Sequence, residues 1–179
     1  MKKTKRLKLT LLQTLTHYSV VFFLLFPVFL NTWSVVEICV TGSYTGTRSA
    51  DEHVRILLLF LAFALFFGIV QYRRLRFYEF KIPVTAQQFH QAIERTASEL
   101  QWRIDKKNDT FLRASRPFNW SSSWGEMVTI IRYKDHLLIN SICDPDLTSS
   151  LVSYGWNRKN INTFLKNTAE VLNNKPAGD

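Results

Sequence analysis

The feature that most constrains this chain is an uninterrupted apolar run at residues 56–70, which reads ILLLFLAFALFFGIV and is followed by three arginines within residues 73–76. A helix over residues 54–72 would be about 28 Å long at about 1.5 Å per residue, close to the roughly 30 Å of a bilayer core. A surface helix of a soluble protein carries a polar stripe, and this run carries none. The sequence therefore predicts a membrane-spanning helix at residues 54–72.

A second apolar segment precedes this run at residues 11–40, with VVFFLLFPVFL at its centre and a basic tail, residues 1–10, in front of it. A basic stretch followed by an apolar one is also typical of a signal peptide, but no small-residue cleavage site follows. The connecting residues 41–53 carry both signs of charge, whereas basic residues flank the two segments on their other sides. The positive-inside rule then predicts a hairpin of two spans with both chain termini in the cytoplasm.

The net charge of +9 does not by itself indicate a nucleic-acid-binding protein, because most of the excess is explained by this topology. Arg103, Arg113 and Arg132 are placed on predicted strands beside aromatic residues. That arrangement suits single-strand nucleic acid, and it suits a solvated sheet face equally, so nucleic acid is disfavoured as a partner. Cys39 and Cys143 fall on opposite sides of the membrane in this topology and cannot pair, which is consistent with a reduced domain.

The residues behind the second span, 73–175, have the pattern of one small α+β domain, with a short tail at residues 176–179. Apolar residues at helical spacing predict two amphipathic helices, one behind a capping box that begins at Thr85 and one over residues 157–172. Strand-like stretches occupy residues 77–82, 102–106, 110–115, 126–133 and 136–142. The order β-α-β-β-β-β-α predicts a mostly antiparallel sheet with both helices on one face.

Four strand ends or loops of this sheet are expected at the end nearest the membrane, because a right-handed crossover makes the first two strands run in the same direction. Tryptophan suits the membrane interface, and cations beside a helix amino terminus suit phosphate groups. We therefore predict a binding surface at this end. Its candidate residues are Trp102, Arg116, Trp120, Trp124, Tyr154, Trp156, Asn157 and Arg158. The alternative is that the tryptophans close the end of a small core.

The sequence offers little catalytic chemistry. It contains no phosphate-cradling glycine loop, no Gly-x-Ser-x-Gly, no His-Glu-x-x-His and no Cys-x-x-Cys. Cys143, Asp144 and Asp146 have metal-ligand chemistry but no partner histidine or cysteine nearby in the sequence, so neither a metal nor another cofactor is predicted. No histidine lies next to a candidate nucleophile.

We accordingly expect a non-enzymatic membrane protein that binds lipid headgroups, a partner protein or a second copy of itself at the membrane-proximal end. Two alternatives remain open. One is an enzyme that acts on a membrane amphiphile, for which Glu126, Asp144 and Asp146 are the only nearby carboxylates. The other is an accessory subunit of a larger complex, in which Asn31 and Glu37 meet polar groups of another helix bundle.

Near the C-terminus, Ile-Asn-Ser at residues 139–141 is followed by a Ser-rich loop and by Gly155 and Asn157, which lead into a helix. This ending resembles that of an uncharacterised bacterial domain family, whose members close with a strand ending in Ser, a Ser-rich loop, an Asp-Leu-Gly-x-Asn turn and a helix. Ser153 and Tyr154 stand where that turn has Asp and Leu. The resemblance implies a bacterial origin and a strand followed by a helix and, because the family has no settled activity, no catalytic residue. Combined with the two predicted spans, a bacterial origin indicates a protein of the inner membrane. By its position, Asn157 is expected to cap the helix.

Overall fold

The computed structural model describes residues 5–42, 44–118, 125–149, 153 and 155–173. Two long apolar helices and an α+β unit with a five-stranded sheet account for most of this part of the chain. The helices are α1 (Leu11–His17), α2 (Ser19–Val36), α3 (Ala50–Arg74), α4 (Ala86–Leu100) and α5 (Trp156–Asn173), and a π-helical turn (Glu37–Thr41) extends α2. The strands are β1 (Tyr78–Phe80), β2 (Arg103–Lys107), β3 (Phe111–Arg116), β4 (Glu126–Arg132) and β5 (Leu137–Cys143).

The two long apolar helices pack against each other as an antiparallel pair. At one end, His53 Nδ1 lies 2.8 Å from Asn31 Oδ1, and the Tyr44 hydroxyl lies 2.8 Å from His53 Nε2. At the other end, Gln71 Nε2 donates to the His17 carbonyl at 2.6 Å. The 23 residues of α2 with its π-helical turn, and the 25 of α3, are long and apolar enough to cross a bilayer. The predicted hairpin of two long apolar helices is therefore confirmed.

Asn31 and Glu37, the two polar residues that could have met another helix bundle, both form hydrogen bonds within the hairpin. Asn31 contacts His53 within the hairpin, and its Nδ2 donates to the Pro27 carbonyl at 2.8 Å. The Glu37 carboxylate accepts from Trp33 Nε1 at 2.9 Å. Neither side chain needs a partner from a second protein to form a hydrogen bond.

The five strands form one open sheet in the order β1-β5-β4-β3-β2, and every neighbouring pair is antiparallel. Strands β1 and β2 run in the same direction, as predicted, but they lie at opposite edges of the sheet. Helices α4 and α5 cover one face and enclose the main core, which includes the fully buried Phe89, Ile93 and Phe164. The expected α+β domain with both helices on one face is therefore present.

Local sequence explains where α3 and α4 begin and end. The carboxylate of Glu52 accepts from the Ser49 backbone N–H at 2.9 Å. The side-chain amide oxygen of Gln88 accepts from the Thr85 backbone N–H at 3.0 Å. Both bonds belong to capping boxes, which satisfy amide groups that the first turn of a helix leaves unpaired. Helix α4 ends at Leu100, and the left-handed backbone of the next residue, Gln101 (φ 56°), reverses the chain ahead of β2.

The other face of the sheet is partly covered by residues 5–9, here termed the N-terminal strap. Phe77 N–H donates to the Lys5 carbonyl at 3.2 Å, and Leu7 N–H donates to the Leu75 carbonyl at 2.8 Å. The side chain of Leu7 is buried in a second apolar cluster with Leu75, Met127 and Ile142. The central residues of the basic tail are thus a structural part of the domain.

Candidate functional site at the α3 end of the sheet

One end of the sheet lies beside the last turn of α3, and we refer to it as the α3 end. Residues 75–77 alone separate α3 from β1. Asn140 of β5 donates through Nδ2 to the carbonyls of Arg74, at 2.9 Å, and Arg76, at 2.8 Å. The register pairs Arg116 with Glu126 and Glu126 with Cys143, so the end of β3, the start of β4 and the end of β5 lie level with each other. The strand ends expected together are therefore found together.

Two cations and an aromatic ring form the centre of this end. The Arg116 guanidinium carbon lies 3.3 Å from the centre of the Trp156 ring, and Lys159 Nζ lies 4.1 Å from it. The carboxylate of Glu126, which is fully buried, lies 3.8 Å from Arg116 Nη1. Charge attraction to a buried carboxylate and cation–π contact together fix the position of the arginine. The predicted association of Arg116 and Trp156 is present, and Lys159 joins it.

Trp102 belongs to the core and not to the surface, which corrects its predicted place at the headgroups. Its side chain is only 6 % exposed, and its Nε1 donates to Asn160 Oδ1 at 3.1 Å. The reversal at Gln101 brings the backbone N–H of Trp102 to within 3.0 Å of the Ala97 carbonyl and directs the ring under α5. For this tryptophan, the alternative of closing a small core is the correct one.

Asn157 does not cap α5, so that prediction was wrong. The helix begins at Trp156, and Asn157 lies inside its first turn with its Oδ1 accepting from Ser141 Oγ at 3.1 Å. The same hydroxyl accepts from Asn160 Nδ2 at 3.2 Å. Ser141 and the two asparagines thus connect the end of β5 to the start of α5, and Trp102 is attached through Asn160. The predicted site residues Trp120, Trp124 and Tyr154 lie outside the described residues.

A cavity of about 440 Å³ opens between β1, β5 and the start of α5. Arg74, from the last turn of α3, and Arg158, from the first turn of α5, border it. Polar contacts are offered by Ser141 and Asn157, and Tyr78 supplies an aromatic wall. Among the described residues that line this cavity there is no aspartate, glutamate, histidine or cysteine. The described lining therefore contributes two positive charges and no negative one.

None of the three carboxylates that an enzyme could use, those of Glu126, Asp144 and Asp146, lines this cavity. Each of them contacts another group of the protein. Both oxygens of Asp146 accept from Gln13 Nε2, at 3.0 and 2.9 Å. Asp144 is buried, its Oδ1 accepts from the Asp146 backbone N–H at 2.9 Å, and burial raises the pKa of its carboxyl. Glu126 faces Arg116. Within the described part of the chain, no cluster of three histidine, cysteine, aspartate or glutamate side chains is arranged to hold a metal ion.

Comparisons of this chain with protein-family models, with curated proteins and with solved structures give no match.

Proposed function

We propose that this is a two-span membrane protein whose α+β domain lies in the cytoplasm of a bacterium and binds anionic lipid headgroups at the α3 end of its sheet. The cavity bordered by Arg74 and Arg158 is the observation that carries the proposal. Arg74 ends an apolar helix of 25 residues, so a bilayer around that helix brings lipid phosphates to the level of the cavity. A phosphate group accepts hydrogen bonds from guanidinium groups and from the amides of a first helical turn.

Lipid is favoured over the other candidates by the composition of the cavity. A cavity with two arginines and no described carboxylate favours an anion over a neutral or cationic protein surface. Catalysis on a membrane amphiphile would need an acid or base group beside the ligand, and the described lining supplies none. A partner protein, a homo-oligomer and membership of the bacterial family named above remain predictions from the sequence.

The orientation is tested by thiol labelling of full-length protein in intact cells with a membrane-impermeant maleimide. A cysteine placed at Thr47, which is exposed between α2 and α3, should react, whereas one placed at Lys134, which is exposed between β4 and β5, should react only after lysis. Both variants carry Cys39→Ser, because Cys39 is exposed, and they retain Cys143, which is buried. Reaction of the Lys134→Cys variant in intact cells would contradict the proposed topology.

Headgroup binding is tested by native mass spectrometry of the purified full-length protein with added phosphatidylglycerol or phosphatidylcholine. Because Arg158 is exposed, its loss in Arg158→Gln should reduce the retained phosphatidylglycerol by about threefold or more, with little effect on phosphatidylcholine. The matched control is Lys166→Gln, which removes one positive charge from the same helix where Lys166 lies 3.8 Å from Glu170. Equal retention by both variants and the unaltered protein would refute binding at the cavity.

A further inference from the structure

A second cavity, of about 510 Å³, lies on the sheet face that α4 and α5 do not cover, between the N-terminal strap and strands β3 and β4. We term it the strap groove. Phe77, Phe111 and Ile131 contribute apolar surface, and four cations surround that surface, namely Lys5, Arg6, Lys8 and Arg113. A volume of this size, an apolar floor and a few polar groups are the usual properties of a small-molecule site.

The charges around the strap groove are not balanced by the described residues. No aspartate or glutamate is among the residues that line it, and none of its four cations lies within 4.0 Å of a described carboxylate. Lys5 and Arg6 instead lie over the rings of Tyr133, at 3.9 Å, and Tyr72, at 4.0 Å. Four positive charges around one cavity repel each other, and a bound anion relieves that repulsion.

Three hydrogen-bond donors of the groove residues are buried without a partner among the described residues. They are Arg6 Nε, Arg113 Nε and Thr129 Oγ1. Thr129 is 1 % exposed, and the register pairs it with Arg113 on the neighbouring strand. An unpaired buried donor is destabilising, so three around one cavity are costly unless a ligand accepts from them.

The wall of the groove is held in place before any ligand binds. The strap pairs with the residues behind α3 through the antiparallel bridge of Arg6 with Arg76, and Leu7 is buried at 7 % exposure. Arg113 stands on β3, a central strand that is paired on both sides. A ligand therefore does not have to order the groups that would bind it.

We propose that the strap groove binds a small organic anion with an apolar body, a carboxylate or a phosphate monoester attached to an alkyl or aromatic group. The acid group accepts from Arg6, Arg113 and Thr129, and the apolar body lies on Phe111 and Ile131. This inference does not rest on the proposed function, because the groove is on the opposite face of the sheet from the cavity at the α3 end.

The test uses full-length protein in nanodiscs of phosphatidylcholine, titrated with dansylglycine as the anionic probe and dansylamide as its neutral counterpart. Arg113→Gln should weaken dansylglycine binding about tenfold or more, since a charged donor to a carboxylate contributes about 1.5 kcal/mol or more. Lys8→Gln, at an exposed position, should weaken it severalfold without affecting the fold. The control Arg103→Gln removes the same charge from β2, where Arg103 pairs with Asp105 outside the groove, and should change the affinity less than twofold.

Two further observations separate a binding role from a structural one. Dansylamide should bind weakly and equally to all variants. Without ligand, Arg113→Gln should unfold at the same temperature as the unaltered protein or at a higher one, because it removes an unbalanced cation. The proposal is overturned if no saturable binding occurs, if dansylamide binds as tightly as dansylglycine, or if Arg113→Gln and Lys8→Gln bind like the unaltered protein.

Competition identifies the source and the class of the ligand. Replacing part of the phosphatidylcholine by phosphatidylglycerol should displace dansylglycine if the ligand is a membrane lipid, whereas octanoate alone should displace it if the ligand comes from solution. Either result supports the site. Displacement by a hexaglutamate peptide and not by octanoate or phosphatidylglycerol would overturn the proposal, since the groove would then accept a protein segment.

Discussion

Replacing Phe164 by alanine is expected to lower the free energy of unfolding of the α+β domain by about 3–5 kcal/mol. Phe164 lies on α5, is fully buried, and meets Phe89 of α4 edge to face, with ring centroids 6.2 Å apart and an interplanar angle of 84°. The pair fills the space between the two helices and the sheet, so the truncation leaves a cavity at the centre of the main core. Urea unfolding of the full-length protein in nanodiscs, followed by tryptophan fluorescence, measures the loss.

The control for this prediction is Ile104→Ala on the edge strand β2, where the side chain is 38 % exposed. That change should cost about 1 kcal/mol or less, because more than a third of the side chain already contacts water and the strand lies at the edge of the sheet. A double-mutant cycle of Phe89→Ala with Phe164→Ala should show a coupling of about 0.5–1.5 kcal/mol beyond the additive expectation. If Phe164→Ala costs no more than Ile104→Ala, the described packing of α5 on the sheet is wrong.

Replacing Asn140 by leucine is expected to detach the sheet from the end of α3, at a cost of about 2–3 kcal/mol. Its Nδ2 donates to two backbone carbonyls, those of Arg74 and Arg76. Leucine is close in size but donates nothing, so both carbonyls lose that bond. Hydrogen–deuterium exchange followed by mass spectrometry should accelerate in residues 75–80 while the centre of α3 remains protected.

The control for the Asn140 variant is Asn173→Leu, at an exposed position in the last turn of α5. It should change the free energy of unfolding by less than about 0.5 kcal/mol and leave the exchange of residues 75–80 unaltered. Unchanged exchange in the Asn140→Leu variant would mean that the two hydrogen bonds do not hold the connection between α3 and β1.

The elements that could be predicted from the sequence are those with local causes. The capping box at Thr85 and Gln88 needs only four consecutive residues, and it forms as expected. The strands on either side of Lys134 and Asp135 are indicated by short runs rich in apolar and β-branched residues and by the turn between them, and they pair as β4 and β5. The two apolar helices follow from composition over about twenty residues.

The parts that could not be predicted depend on contacts distant in sequence. The N-terminal strap carries an alternation of Leu7 and Leu9 with Arg6 and Lys8, which is a strand-like pattern. Four residues of alternation are too few to outweigh the charge, and the partner of the strap lies about seventy positions away, beside Arg76. The placement of β1 against β5 is equally non-local, because hydrophobic pattern fixes which face is buried and not which strand is adjacent.

The candidate site was predicted correctly for residues whose position follows from strand direction. It was predicted wrongly for Trp102, whose position depends on the backbone conformation of one neighbouring residue. Arg116 and Trp156 meet because strand direction brings their elements to one end. Trp102 had the same expected location, but the left-handed conformation of Gln101 turns it into the core, and glutamine gives no sequence signal for that conformation. The strap groove has no signal in the sequence, because its cations are contributed by segments that only the folded chain brings together.

The three residues between α3 and β1 span at most about 10 Å even when extended, and Asn140 shortens that reach further. In the proposed orientation, the cavity at the α3 end is consequently confined to the layer of lipid headgroups. A receptor held so close to its ligands experiences them at an effective concentration in the millimolar range or above. A dissociation constant that would be negligible for a soluble protein is then sufficient for nearly full occupancy, and exchange between neighbouring lipids can remain fast.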